Sequence, residues 1–349
     1  MTKILKFGKS SESLLGIKKS FFEQNDAFLA YQRKIAALYI QQPRREACMC
    51  CAGPIEGLRF TKQTIEYILC ARCGHLNGAY VDTDAFGAAV YTSSGDSEYG
   101  SLFYTEQDKV AFERRRDAIY TPKVDFLVAS LAELGEKPVG LSYCDVGAGS
   151  GYLVAALHHR GLARSSGYEI SASQVTFGNQ MIGTPALQTI APDDSEKIVS
   201  TTKHDVLALI GTLEHLQRPR DFLRAVTSNP HVKYLMISVP LYSPTVFLEM
   251  VFPEVMQRQL AGGHTHLYSR ASLEYMAKEF GIAPVAEWWF GTDLVDLYRD
   301  VIVRMQANPE TAPMADAWTQ MFAPMIDDMQ LVMDKRMLSS EVHVIYKVH

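Results

Sequence analysis

Residues 143–153 read Tyr143-Cys144-Asp145-Val146-Gly147-Ala148-Gly149-Ser150-Gly151-Tyr152-Leu153. This is the pattern of a short apolar strand, a glycine-rich turn and the first turn of a helix. Glycine lets the backbone take positive φ and approach a ligand closely. The helix start behind it offers N–H groups that have no partner within the helix. A dinucleotide site uses such a turn to hold a pyrophosphate and has the spacing G-x-G-x-x-G. Here the spacing is G-x-G-x-G, and Tyr152 stands where the third dinucleotide glycine would be. Asp145, at the strand tip, would repel a pyrophosphate. It suits a ligand that carries positive charge.

Moving outward, helix 154–160 is followed by Gly161 and then by Ser166-Gly167-Tyr168-Glu169-Ile170. This second strand ends in an acid just over twenty residues past the glycine turn, where a carboxylate accepts both hydroxyls of a ribose. An ammonium, a sulfonium and a ribose together describe S-adenosylmethionine (SAM). Candidate cofactor residues are Asp145, Gly147, Ala148, Gly149 and Gly151 in the turn. Glu169 and Ile170 follow at the second strand tip, and Gly211, Thr212 and Leu213 after the fourth strand. Strand and helix patterns alternate from Ser142 onwards. Strands are expected at 186–190 and 234–239, and a buried parallel one within 205–216 that enters Gly211-Thr212-Leu213-Glu214-His215. Such alternation predicts an α/β fold, a Rossmann-like doubly wound sheet. The last segment, 341–348, is expected to be a strand.

Two C-x2-C pairs, Cys48/Cys51 and Cys70/Cys73, flank a segment with hairpin character at 58–69. Each pair can form a tight knuckle, and two facing knuckles make a tetrahedral four-sulfur site for structural zinc. Cys50 is spare in the first knuckle, although a register that uses it stays open. His75 could replace a cysteine, but is expected just outside the site. A closed four-thiolate site leaves no open position for catalysis.

The bulk numbers bound the rest. The chain has 349 residues, 47% apolar and 21% charged, with 34 basic and 39 acidic side chains for a net charge of −5. That composition is ordinary for a globular protein and argues against non-specific nucleic-acid binding. No apolar run is long enough to span a bilayer, and residues 1–20 lack a signal-peptide core, so a cytoplasmic location and no membrane partner are expected. The expected organisation is a helical segment over 1–45, a zinc-ribbon module over 46–80 and a helical cap over 81–135. The sheet domain over 136–349 then carries insertions at about 242–262 and 293–335. Tyr99, Phe103 and Tyr104 are within reach of a ligand on this reading. Trp288 and Trp289 read as core or pocket wall. The oligomeric state stays open, a homodimer among the options.

The glycine motif and Glu169 together resemble class I SAM-dependent methyltransferases. That resemblance spans roughly 127–298 plus the final strand. It implies a seven-stranded sheet whose last strand is antiparallel and inserted between the fifth and the sixth. Leu213-Glu214-His215 and His266-Leu267-Tyr268-Ser269 look like the branch that acts on small molecules. With the four-cysteine module in front, the chain resembles sugar and polysaccharide-pathway (C-)methyltransferases, though the large C-terminal domain of well-known members has no counterpart here. The implied activity is in-line methyl transfer to a small-molecule acceptor such as a sugar nucleotide. Proton removal would fall to a histidine base, and His215, His264 and His266 are the candidates. Two other readings compete. An RNA methyltransferase would use the zinc ribbon for recognition, against the net acidity and without an Asn-Pro-Pro-aromatic signature at the fourth strand. A non-catalytic binding protein would have no reason to keep both Asp145 and Glu169.

Overall fold

The computed structural model describes residues 3–12, 15, 20–91, 108–191, 194–260 and 264–349. The expectations for Tyr99, Phe103 and Tyr104 fall outside these residues. The described strands, in chain order, are β1 (Ile4–Phe7), β2 (Gly57–Lys62), β3 (Ile65–Cys70), β4 (Leu76–Gly78), β5 (Tyr143–Val146) and β6 (Ser165–Glu169). They continue with β7 (Leu187–Thr189), β8 (Val206–Ile210), β9 (Tyr234–Pro240), β10 (His266–Leu267), β11 (Ala283–Phe290) and β12 (Glu341–Lys347).

Eight of these form the main sheet, in the order β1-β11-β12-β9-β8-β5-β6-β7. Strands β5 to β9 run parallel, and β12 lies antiparallel between β9 and β11. This is the expected seven-strand order. The eighth strand was not expected. β1 extends the sheet edge in parallel with β11, pairing Ile4 with Ala286 and Phe7 with Trp289. The segment read as helical over 1–45 therefore begins with a strand, and its described long helix is confined to Asn25–Tyr39. Four residues are too short a run for periodicity to register.

Parallel strands need both faces covered, and the side chains alternate accordingly. Cys144, Val146, Leu207, Leu209 and Ile237 pack into one buried cluster. Tyr143, Val206, Ala208 and Met236 pack into another on the opposite face. Each buried Val, Leu, Ile or Met among them contributes on the order of 2 kcal/mol by leaving water. The rim where the parallel strands end is the site rim. Because β12 is antiparallel, it begins there, at Glu341.

A second sheet, in the order β10-β4-β3-β2, carries the cysteines. β2 and β3 form the expected hairpin, turning at Gln63 and Thr64 with φ of 46° and 71°. β10 comes from far along the chain, after β9, and pairs His266 with Asn77 and Leu267 with Leu76. A buried ion pair adds to the join: Lys62 Nζ lies 3.0 Å from Glu249, and both side chains are 2% exposed. The 121–133 helix continues from a π-helical turn at Arg116–Tyr120, and Pro122, which has no N–H to donate, follows that widened turn directly.

Candidate active site

The glycine turn is strapped to its neighbours by its own backbone. The N–H groups of Gly147 and Ala148 both donate to the Tyr168 carbonyl at 2.9 Å, and Gly149 N donates to Glu169 Oε2 at 2.8 Å. Glu169 Oε1 accepts from Ile170 N and Ser171 N at 2.9 and 3.0 Å. Gly151 takes φ of 75° as the N-cap of helix Tyr152–His159. Gly147 has φ of 76°, and a Cβ built there would meet Thr212 at 2.6 Å. Glycine at 147 therefore lets the turn close against Thr212, just past the end of β8.

Asp145 is 3% exposed, and its Oδ1 has no hydrogen-bond partner among the described residues. Burial, with repulsion from Glu169, pushes its carboxyl up to about 8, and Lys123 pulls the other way. Lys123 arrives from helix Thr121–Glu133 and is itself buried. Its Nζ lies 3.4 Å from Glu341 Oε1 and 3.5 Å from Ser238 Oγ. Burial opposes ionisation of Glu341, yet the charges of Lys123, His343, Lys9 and Arg258 hold it well below the usual carboxylate range. Sequence reading missed Lys123, Ser238 and Glu341. The last two are the rim ends of β9 and β12, a signal that appears once the strand order is known.

Across from the acids lies a second cluster. A 3₁₀ turn at Leu213–His215 presents Glu214 and His215. Glu214 is 3% exposed, its Oε2 has no partner among the described residues, and burial with Glu341 nearby pushes it up to about 8. The His215 ring centre is 5.1 Å from that of His264. His264 Nδ1 donates to the Gln259 carbonyl at 2.9 Å, and burial lowers its basicity. His266 is 1% exposed in β10, and its Nδ1 sits 3.0 Å from Nε2 of the fully buried His75. Burial lowers both, His75 to about 3, so the pair is neutral at pH 7. All three candidate histidines thus gather in one region, joined by His75 from the cysteine module. That module also steers His264. Glu249, paired with Lys62, accepts from the backbone N–H groups of Arg258, Gln259 and Leu260, and so shapes the turn whose carbonyl holds the ring.

Residues 112–287 match the methyltransferase domain family. The chain belongs to that family. No curated protein matches the sequence. Among solved structures, the magnesium protoporphyrin IX methyltransferase of Synechocystis PCC 6803 with bound SAH is similar at 18% identity and a TM-score of 0.42. That match covers 58% of this chain and 90% of the other. A SAM-dependent methyltransferase from Archaeoglobus fulgidus is similar at 15% identity and a TM-score of 0.39, over 64% and 93% of the two chains. The protein is a SAM-dependent methyltransferase.

The residues of this methyltransferase fit the cofactor. Asp145 is a buried acid short of a donor among the described residues, which a ligand ammonium would supply. Glu169 uses three acceptor positions of about four on the backbone, which leaves capacity for a hydroxyl. Lys123, paired with Glu341, puts a cation near Asp145 that would suit a ligand carboxylate.

The methyltransferase also brings Cys48, Cys51, Cys70 and Cys73 together, all buried. Sγ of Cys48 is 3.6 Å from that of Cys73, and Sγ of Cys51 is 3.8 Å from that of Cys70. Four thiolates about 2.3 Å from one zinc ion stand about 3.8 Å apart. Cys50 lies outside this group and points its thiol at the Ser272 carbonyl, 3.4 Å away. Asn77 Nδ2 donates to Cys48 Sγ at 3.4 Å, the kind of outer contact that orients a metal ligand. No described helix is long and apolar enough to cross a membrane.

Proposed function

We propose that this methyltransferase methylates a small molecule, with a sugar nucleotide or polysaccharide precursor as the acceptor class. The observation that carries the reading is the Gly147–Thr212 contact. It joins the acids suited to the cofactor to the Glu214–His215–His264 rim. Bound SAM supplies an electrophilic methyl group on a sulfonium. Asp145 and Lys123 would hold its amino acid end, and Glu169 its ribose. Ile170, Gly211, Thr212 and Leu213 would line the space between them. Alignment for in-line transfer comes from this fixed frame. An oxygen or carbon acceptor must give up a proton, and the expected histidine role falls on this rim. His266, held by His75, backs the rim from the cysteine side.

Zinc at the four cysteines has a structural role on this reading. Its closed thiolate shell holds the small sheet that delivers β10 and His75. The acidic net charge favours a small acceptor over RNA.

Calorimetry tests the core of the proposal. Wild-type protein should bind SAM at micromolar concentration, and Asp145→Ala should bind at least tenfold more weakly. His264→Ala should keep SAM binding and lose methyl transfer to acceptor mixtures. Absence of SAM binding in the wild type would sink the reading.

A further inference from the structure

Glu214, His215 and His264 form a group whose chemistry extends past a lone base. One carboxylate oxygen and one ring nitrogen from each histidine lie within 4.8 Å of one another. Two nitrogens and one oxygen are a ligand set for a first-row divalent metal ion with open positions. Donors at about 2.0–2.2 Å from such an ion are at most about 4.4 Å apart, so small side-chain rotations close the group.

Two further observations point the same way. Glu214 Oε2 is buried with no partner among the described residues, a costly state that a cation relieves. His264 is already oriented as metal-ligating histidines are. Its Nδ1 is committed to the Gln259 carbonyl, which leaves the Nε2 lone pair for a ligand. Gln259 is itself anchored, its Nε2 donating to the carbonyls of Leu241 and Ser340 at 3.0 and 2.7 Å. The carboxylate and His215 come from one rigid 3₁₀ turn, and His264 comes from the segment before β10.

We propose that Glu214, His215 and His264 hold a divalent transition-metal ion on the acceptor side of the site. This inference rests on the methyltransferase reading and names the agent of proton removal at its rim. The ion would bind an acceptor hydroxyl and make it more acidic. The O–H proton leaves to solvent. The O–CH3 bond forms as the S–CH3 bond breaks, and the breaking pair stays on sulfur in S-adenosylhomocysteine. The two histidines then act as ligands.

The test uses full-length protein whose cysteines have first been loaded with one equivalent of Zn2+, then titrated with Co2+. The expected result is a second equivalent, with visible ligand-field bands that lack thiolate charge-transfer intensity. His264→Ala and His215→Ala should each weaken it at least tenfold. S-adenosylhomocysteine binding by calorimetry reports the folding of each variant, and it also separates this inference from the cofactor reading. No second equivalent in the wild type overturns the proposal. So does Co2+ binding at wild-type affinity in either folded variant.

Discussion

The two halves of the site are built in opposite ways. The proposed cofactor half is built on one uninterrupted βαβ unit, Asp145 to Glu169, whose own polar contacts span about twenty residues, although Lys123, tied to Glu341, and Thr212 reach it from elsewhere in the chain. The acceptor half is assembled from distant segments: His75, the 214–215 turn, the 258–260 turn and His264 to His266. Its stabilising contacts cross the chain, as in Lys62 with Glu249 and His75 with His266. The contrast predicts that the proposed cofactor half tolerates damage to the cysteine module, whereas the proposed acceptor half depends on it.

The largest expected break is Cys70→Ser. Structural zinc contributes apparent binding energies of about 10–16 kcal/mol in small modules. The variant should lose its zinc, read by mass spectrometry of bound metal. It should also lose methyl transfer while retaining most SAM binding. Equal loss of SAM binding would end the contrast between the halves. Next is Lys62→Met, which strands a buried carboxylate at Glu249. Breaking such a pair costs about 3–5 kcal/mol, visible in chemical denaturation.

Gly147→Ala strikes the seam between the halves. Positive φ and a 2.6 Å clash with Thr212 should cost about 2 kcal/mol and impair both SAM binding and turnover. Wild-type behaviour would mean the seam is loose.

The smallest effect sharpens the cofactor half alone. Folded Asp145 keeps its proton up to about 8, while an unfolded chain releases it near 3.9. The native state binds the extra proton between these values, so this group's contribution to the stability of ligand-free protein falls as pH rises from about 4 to 8. A ligand ammonium favours the ionised acid. SAM affinity should therefore climb by up to about tenfold per pH unit from 6 towards 8, then level off. Calorimetry at pH 6, 7 and 8 reads it directly, and a flat profile would show that Asp145 does not meet the ammonium.

Much of the fold was legible because the main sheet repeats short local units. The glycine spacing, the acids and the alternating strands announced the parallel order, and resemblance supplied the inserted last strand. β1 was invisible at four residues. Glu341 could not be assigned to the site from sequence, since its place depends on β12 running backwards beside β9. Lys123 reads as one basic residue on a helix until that helix is packed over Asp145. From sequence alone Glu214 reads only as a companion of His215, and His75 as a neighbour of the cysteines.

The chain itself determined the family, the turn suited to SAM and the four-thiolate group, because each is written within a short run of residues. Only the tertiary structure decided that the cysteine sheet takes β10 as its edge strand and that one region joins the buried His75 and His266 to His215 and His264. The physical reason is that these contacts are made between segments far apart in the chain, which no local pattern can register. Burial then tunes their chemistry: it drives Asp145 and Glu214 towards their protonated forms and keeps His75 and His266 neutral.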